Sequence, residues 1–211
     1  MFVRPCWRPL SEQDAIELIE KNPWALLVSN GADGPMATNI PLLFDHQRSD
    51  KTVLVGHIAR ANEHASLLGS ETEPVLAIFE GPYSYVTASW YPKRDMPSTY
   101  YYTAVHCYGR VELQNEAQLD ESVERLTQVM EAPIAGGWKT SEIEREAITR
   151  RYKSILGFEL HIERLEAKFK LGQDEPLKDA LAVAEQLERR SSNGDVTLAA
   201  MIRSQNSRRE G

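Results

Sequence analysis

The chain has 211 residues and a formal net charge of −7, with 24 Lys and Arg against 31 Asp and Glu. Its 42% hydrophobic and 26% charged content is that of a globular protein and excludes disordered, collagen-like and coiled-coil classes. The acidic balance argues against broad nucleic-acid binding, which needs phosphates neutralised by Lys and Arg. A chain this long buries about 70% of its unfolded surface, enough for a core without staples. Cys6 and Cys107 are too few for a disulfide framework and fit a reducing, cytoplasmic setting. Residues 1–8 hold no apolar run, so no signal peptide is expected. Asn, Gly and Pro break the weakly charged stretch 22–44 into strands and a turn, so no membrane span is expected there.

In chain order, Ser11 starts a helix with Asp14 placed for a capping box, and Asn22-Pro23 ends it. Residues 24–29 and 36–44 read as strands joined by a turn rich in Asn, Gly and Asp. Residues 52–58 form a third strand, apolar nearly throughout and therefore central. A short helix is expected at 61–68, a strand at 74–79, and a Pro- and aromatic-rich loop at 81–98. The strand 102–113 places Val105, Cys107, Val111 and Leu113 on one face, with His106, Tyr108, Arg110 and Glu112 on the other. Helices at 116–131 and 141–155 precede an alternating strand at 157–164. Two C-terminal helices, 176–189 and 196–203, flank Ser191-Ser192-Asn193-Gly194. The reading is mainly β with peripheral helices (α+β), about six strands whose consecutive hairpins predict a small antiparallel barrel. Residues 1–173 form the barrel domain, and 174–211 a helical appendage.

No dinucleotide fingerprint, phosphate loop, nucleophile elbow or Cys-x-x-Cys pair occurs. The histidines 46, 57, 64, 106 and 161 lack zinc spacing, so no metal site is expected; His57 and His64 read as a strand histidine and a surface helix histidine. The unusual feature is polar groups on apolar strands. Thr38-Asn39 precedes Ile40-Pro41-Leu42-Leu43, Gly56-His57 ends strand three, and Arg60-Ala61-Asn62 opens a helix whose free N–H groups favour an anion. Tyr83, Tyr85, Trp90, Tyr91 and Tyr100 to Tyr102 add flat apolar walls. Together these suit a flavin mononucleotide, although each one alone reads more readily as core packing.

The strings 37–43 (ATNIPLL), 56–62 (GHIARAN), 79–85 (FEGPYSY), 89–92 (SWYP), 104–109 (AVHCYG) and 168–173 (KFKLGQ) occur in one order over roughly residues 1–205. In this the chain resembles the PaiB family of FMN-binding negative transcriptional regulators. The resemblance implies a split β-barrel related to pyridoxamine-phosphate oxidases, with FMN at a homodimer interface. It implies that Thr38, Asn39, Ile40, Pro41 and Leu42 line the flavin edge and that Gly56 and His57 lie beside the ribityl chain and phosphate. Arg60, Ala61 and Asn62 would hold the phosphate, His106 and Tyr108 would pack over the cofactor, and Trp90 would cover it. Lys170 and Gln173 belong to the same family segment, with no role readable from their chemistry. The chain departs from the family pattern at Asn62-Glu63, where related oxidases have Arg-Lys, and at Tyr100-Tyr101, where relatives have Trp-Asn.

The functional expectation is an FMN-binding regulator acting as a flavin-linked sensor. The alternative is a flavin-dependent oxidoreductase acting on a small molecule, with no catalytic residue assignable; a haem-binding barrel ranks third. Direct DNA binding is doubtful, because residues 181–211 carry five arginines (189, 190, 203, 208, 209) against four acids (185, 188, 195, 210).

Overall fold

The structure, a computed structural model, describes residues 1–45, 47–49, 51–69 and 74–207. His46, and Arg208, Arg209 and Glu210 of the C-terminal charge count, lie outside the described residues. Helix α1 spans Glu12–Lys21. Ser11 accepts the Asp14 N–H at 3.3 Å, and the Asp14 carboxylate accepts the Ser11 N–H at 2.8 Å, which closes the reciprocal capping box. Strands β1 (Trp24–Gly31) and β2 (Gly34–Phe44) form a hairpin around Ala32-Asp33, with Gly34 at φ +128°. Then come β3 (Val53–Ala59), β4 (Val75–Val86) and β5 (Thr99–Leu113). Helices α2 (Glu116–Glu131) and α3 (Arg145–Tyr152), strand β6 (Ile155–Lys170) and helices α4 (Leu177–Arg190) and α5 (Asp195–Asn206) complete the chain. The strands close into a barrel in the order β1-β2-β3-β6-β5-β4, the small barrel predicted above.

Four expected elements differ. The helix at 61–68 is a 3-10 helix confined to Glu63–Leu67, with Asn62 as its cap. Strand β4 runs on through Gly81-Pro82, so the aromatic loop begins only at Thr87. Gly81 marks close packing rather than a turn: a Cβ there would lie 2.3 Å from Thr103 Oγ1 and 2.9 Å from Leu18 Cδ1. Residues 140–142 form a 3-10 turn before α3, which ends at Tyr152. Strand β6 extends to Lys170, six residues beyond the expected end, because its charged side chains need only one face; Leu113, expected inward, is exposed.

Register sorts the strand residues onto two faces. Ala25 and Leu27 pair with Ile40 and Thr38, Leu42 pairs with Gly56, and Gly56 pairs with Phe158. Leu27, Leu42, Leu54, Phe158 and Leu160 are fully buried on this inner face. Cys107 is buried too, as predicted, and burial pushes its thiol up to about 12.

Backbone contacts divide the chain into two compact units, one of residues 1–22, 79–106 and 166–211, the other of residues 23–78 and 107–165. In the second unit, Leu126 and Val129 of α2 pack on Leu43, Val53 and Val55, the outward side of β2 and β3. Leu119 of α2 packs with Ile148 and Tyr152 of α3. In the first unit, α4 and α5 bury Val183, Ala184, Leu187, Leu198 and Ile202. The Lys168 ammonium lies among the rings of Phe2, Trp7 and Tyr102 at 4.7–5.9 Å from their centres. The Tyr91 hydroxyl donates to buried Glu175 at 3.2 Å, and so does that of Tyr101; burial raises the Glu175 pKa. Among the described residues no helix is long and apolar enough to cross a membrane.

Candidate functional site

In the second unit the polar residues singled out in the sequence divide by face. Ile40 and Leu42 point into the core, 5% and 0% exposed, so their side chains cannot line an outer site. Thr38 also turns inward. Its hydroxyl lies 2.9 Å from Nδ1 of His64, and Nε2 of His64 lies 2.9 Å from Ser29 Oγ. Asn62 Oδ1 accepts the His64 N–H at 2.9 Å, and Asn62 Nδ2 reaches Thr38 Oγ1 at 3.5 Å. His64 is therefore a fully buried histidine and not the surface one the sequence suggests. Its two ring nitrogens bridge β2 and β1. Burial lowers its pKa and so favours the neutral ring, and either hydroxyl can donate to or accept from the nitrogen it faces. Thr38 and Asn62 spend their polar groups on this network.

Gly56 is buried opposite Leu42, where a Cβ would lie 2.5 Å from Leu42 Cδ2; it lets β2 and β3 approach. The residues left on the outer face are Asn39, Pro41 and His57. Leu42 pairs with Gly56, so Pro41 and His57 follow on the same two strands, on the opposite face. His57 is half-buried, and desolvation lowers its pKa, so its ring is neutral at pH 7. Around them the outer face is apolar. Trp24 pairs with Pro41, Leu26 with Asn39 and Ile78, and Val28 with Leu76. Trp24 is 63% exposed, and Leu26, Val28, Leu76 and Ile78 are only half-buried.

Arg60 and Ala61 follow β3 and are exposed. The N–H groups of Arg60 and Asn62 donate to Ser154 O and Ala59 O at 2.9 Å each, so the open helix start expected there is largely closed by the chain itself. The Arg60 side chain has no ion-pair partner among the described residues. Glu63 is exposed beside it. Tyr108 lies half-buried on the outward side of β5, stacked under the Arg164 guanidinium at 3.6 Å.

The remaining sequence candidates belong to the first unit. Trp90 sits half-buried in a 3-10 turn, with the Arg190 guanidinium 5.2 Å from its ring. His106 is half-buried on β5. Lys170 donates to Thr99 Oγ1. Gln173 accepts the Leu171 N–H at 2.7 Å and donates to Phe169 O at 2.5 Å, so its amide closes the turn after β6. Arg190 also binds Asp195 and Ser84 Oγ at 2.6–2.7 Å. Sequence reading missed Ser29, His64 and Arg190. Only the Asn62-x-His64 spacing, an Asx cap onto the histidine's own N–H, hinted at the first network. Among the described residues no group of three His, Cys, Asp or Glu side chains is arranged to hold a metal ion.

The class the fold defines is a closed antiparallel barrel of six strands, which here carries a half-buried His57 and an exposed Arg60 with no ion pair among the described residues. Residues 1–164 match the family described as a putative FMN-binding domain, and the chain belongs to that family. It is 25% identical over 202 residues, 96% of each chain, to Protease synthase and sporulation protein PAI 2 of Bacillus subtilis (strain 168). The solved structures that share the fold include two mycobacterial proteins. One is the conserved hypothetical protein Rv2991 of Mycobacterium tuberculosis, with TM-score 0.59 and 12% identity over 83% of this chain and 94% of that one. The other is the FAD and heme binding protein of Mycobacterium smegmatis, with TM-score 0.55 and 17% identity over 82% and 78%. The fold is thus the split-barrel type, and FMN is the cofactor of the family.

Proposed function

We propose that this protein is a flavin-linked sensor of the PaiB regulator type that holds FMN at the Asn39, Pro41 and His57 end of the outer face of β2 and β3, beside the part that α2 covers. The family match over residues 1–164 carries the reading. The exposed Arg60 guanidinium, with no ion pair among the described residues, supports it as the counter-charge for a phosphate. Asn39 and Pro41 offer an amide and a flat apolar wall, and the neutral His57 ring gives one donor and one acceptor to a polar ring edge. When bound, FMN supplies the redox chemistry, and the protein supplies the pocket and its polarity. Thr38, Ile40, Leu42, Gly56 and Asn62 act beneath this surface, holding the strands that present it. We assign Tyr108, in the same unit, a supporting role in this reading.

The apolar outer strip of Trp24, Leu26, Val28, Leu76 and Ile78 supports a homodimer that covers it, with FMN at the interface. Two free thiols, one exposed and one buried, suit a cytoplasmic protein. The test is the visible absorption spectrum of the purified protein after FMN addition and desalting. A retained, perturbed flavin spectrum is expected, with retention lost in Arg60→Ala and weakened in His57→Ala. A colourless protein that takes up no FMN would overturn the reading.

A further inference from the structure

A second feature owes nothing to the flavin surface. Within the first unit, α1, α5 and the Gly81–Tyr83 stretch of β4 enclose an open cavity of about 750 Å³. That is within the range of small-molecule sites, about 300–1,000 Å³. It shares no lining residue with the flavin positions. It exists because Gly81 lets α1 close onto β4, where a Cβ would strike Leu18 and Thr103.

The chemistry of the walls is one-sided. Leu18, Pro82, Phe169 and Met201 form the apolar part of the lining, Asn22, Asn193 and Gln205 add amides, and the lining Tyr83 is exposed. Thr197 and Ser204 bring hydroxyls from the exposed side of α5. Three charged residues line the cavity, all from α1: Asp14, Glu17 and Lys21. Lys21 is 2.9 Å from Glu17, one turn away, so that pair is neutralised. Asp14 has no such partner: its carboxylate accepts the Ser11 N–H, and no cation pairs with it among the described residues. An anionic ligand would meet that charge with no guanidinium to offset it. A cation gains from Asp14, while its apolar part gains from Leu18, Phe169 and Met201.

We propose that this cavity is a binding site for a small organic amine, a molecule with a single ammonium group on an apolar body. The proposal goes beyond the flavin reading and does not rest on it, so its test is run without flavin. The probe is phenethylamine, titrated calorimetrically into the full-length protein, with phenylacetate and 2-phenylethanol as its anionic and neutral counterparts. Saturable binding of phenethylamine is expected, about tenfold or more tighter than either counterpart. Asp14→Asn weakens phenethylamine about tenfold and leaves 2-phenylethanol unchanged. Ser11→Ala opens the same capping box without touching the lining and leaves amine affinity unchanged, which separates charge from helix stability. Thr197→Trp, on an exposed helix position, fills the cavity and removes binding of all three. Equal affinity for phenylacetate, amine affinity undisturbed by Asp14→Asn, or no saturable amine binding at millimolar concentration would each overturn the proposal.

Discussion

At the scale of single residues, His64 makes the second unit pH-sensitive. Its folded pKa lies below 6.5, so below about pH 6.5 the unfolded chain takes a proton that the folded chain resists. Its stabilisation is therefore complete above pH 6.5 and lost as pH falls, by about 1.4 kcal/mol per pH unit for one proton. His57, lowered in the same direction, adds to the slope. Thermal melts at pH 7.5 and 5.5 should show a drop in midpoint that His64→Asn reduces. That substitution should also cost about 1–3 kcal/mol at pH 7.5, because Thr38 and Ser29 lose a partner. Equal midpoints for the native protein at both pH values would contradict this account. Thr38 was legible as an unusual polar residue on an apolar strand, and Asn62 as the opening residue of a helix. Their true partner was not, because a histidine in a short amphipathic stretch carries no mark of burial in its sequence neighbours.

At the scale of elements, the joint between α4 and α5 depends on one carboxylate. Asp195 is 1% exposed and accepts from the Arg190 guanidinium at 2.6 and 2.7 Å and from the Ser192 N–H and hydroxyl. Arg190 above all holds its carboxyl down to about 2. The contribution is present above the unfolded carboxylate range and is lost as pH falls towards 2. Arg190 is partly exposed, which discounts the pair, so Asp195→Ala should cost about 2–3 kcal/mol at pH 7 in urea unfolding. A loss below about 0.5 kcal/mol would show that the helices hold without it. Element starts and stops were legible where capping or turn chemistry marks them, as at Ser11 and the Ala32-Asp33 hairpin. They were not legible at Gly81-Pro82, because a glycine admitting a neighbouring helix looks in sequence like a glycine making a turn.

At the scale of the whole molecule, the apolar outer strip predicts self-association. Light scattering should give a dimer, and Leu26→Glu with Val28→Lys should yield a folded monomer with reduced FMN retention. A strict native monomer with FMN bound would contradict the interface. The acidic net charge of −7 predicts no band shift with promoter fragments at low salt. A shift whose affinity falls steeply with salt would instead mark direct DNA binding. The sequence by itself determined the barrel class, the inward burial of Cys107, the acidic character and the family, because these follow from side-chain alternation, turn chemistry and ordered strings of residues. Only the tertiary structure decided which of the neighbouring Thr38, Asn39, Ile40, Pro41 and Leu42 face outward. It also decided that His64 is a core residue and that Asp14 lines a cavity with no ion pair among the described residues. Each depends on register or on the approach of segments distant in the chain, and a one-residue shift in register would reverse every face.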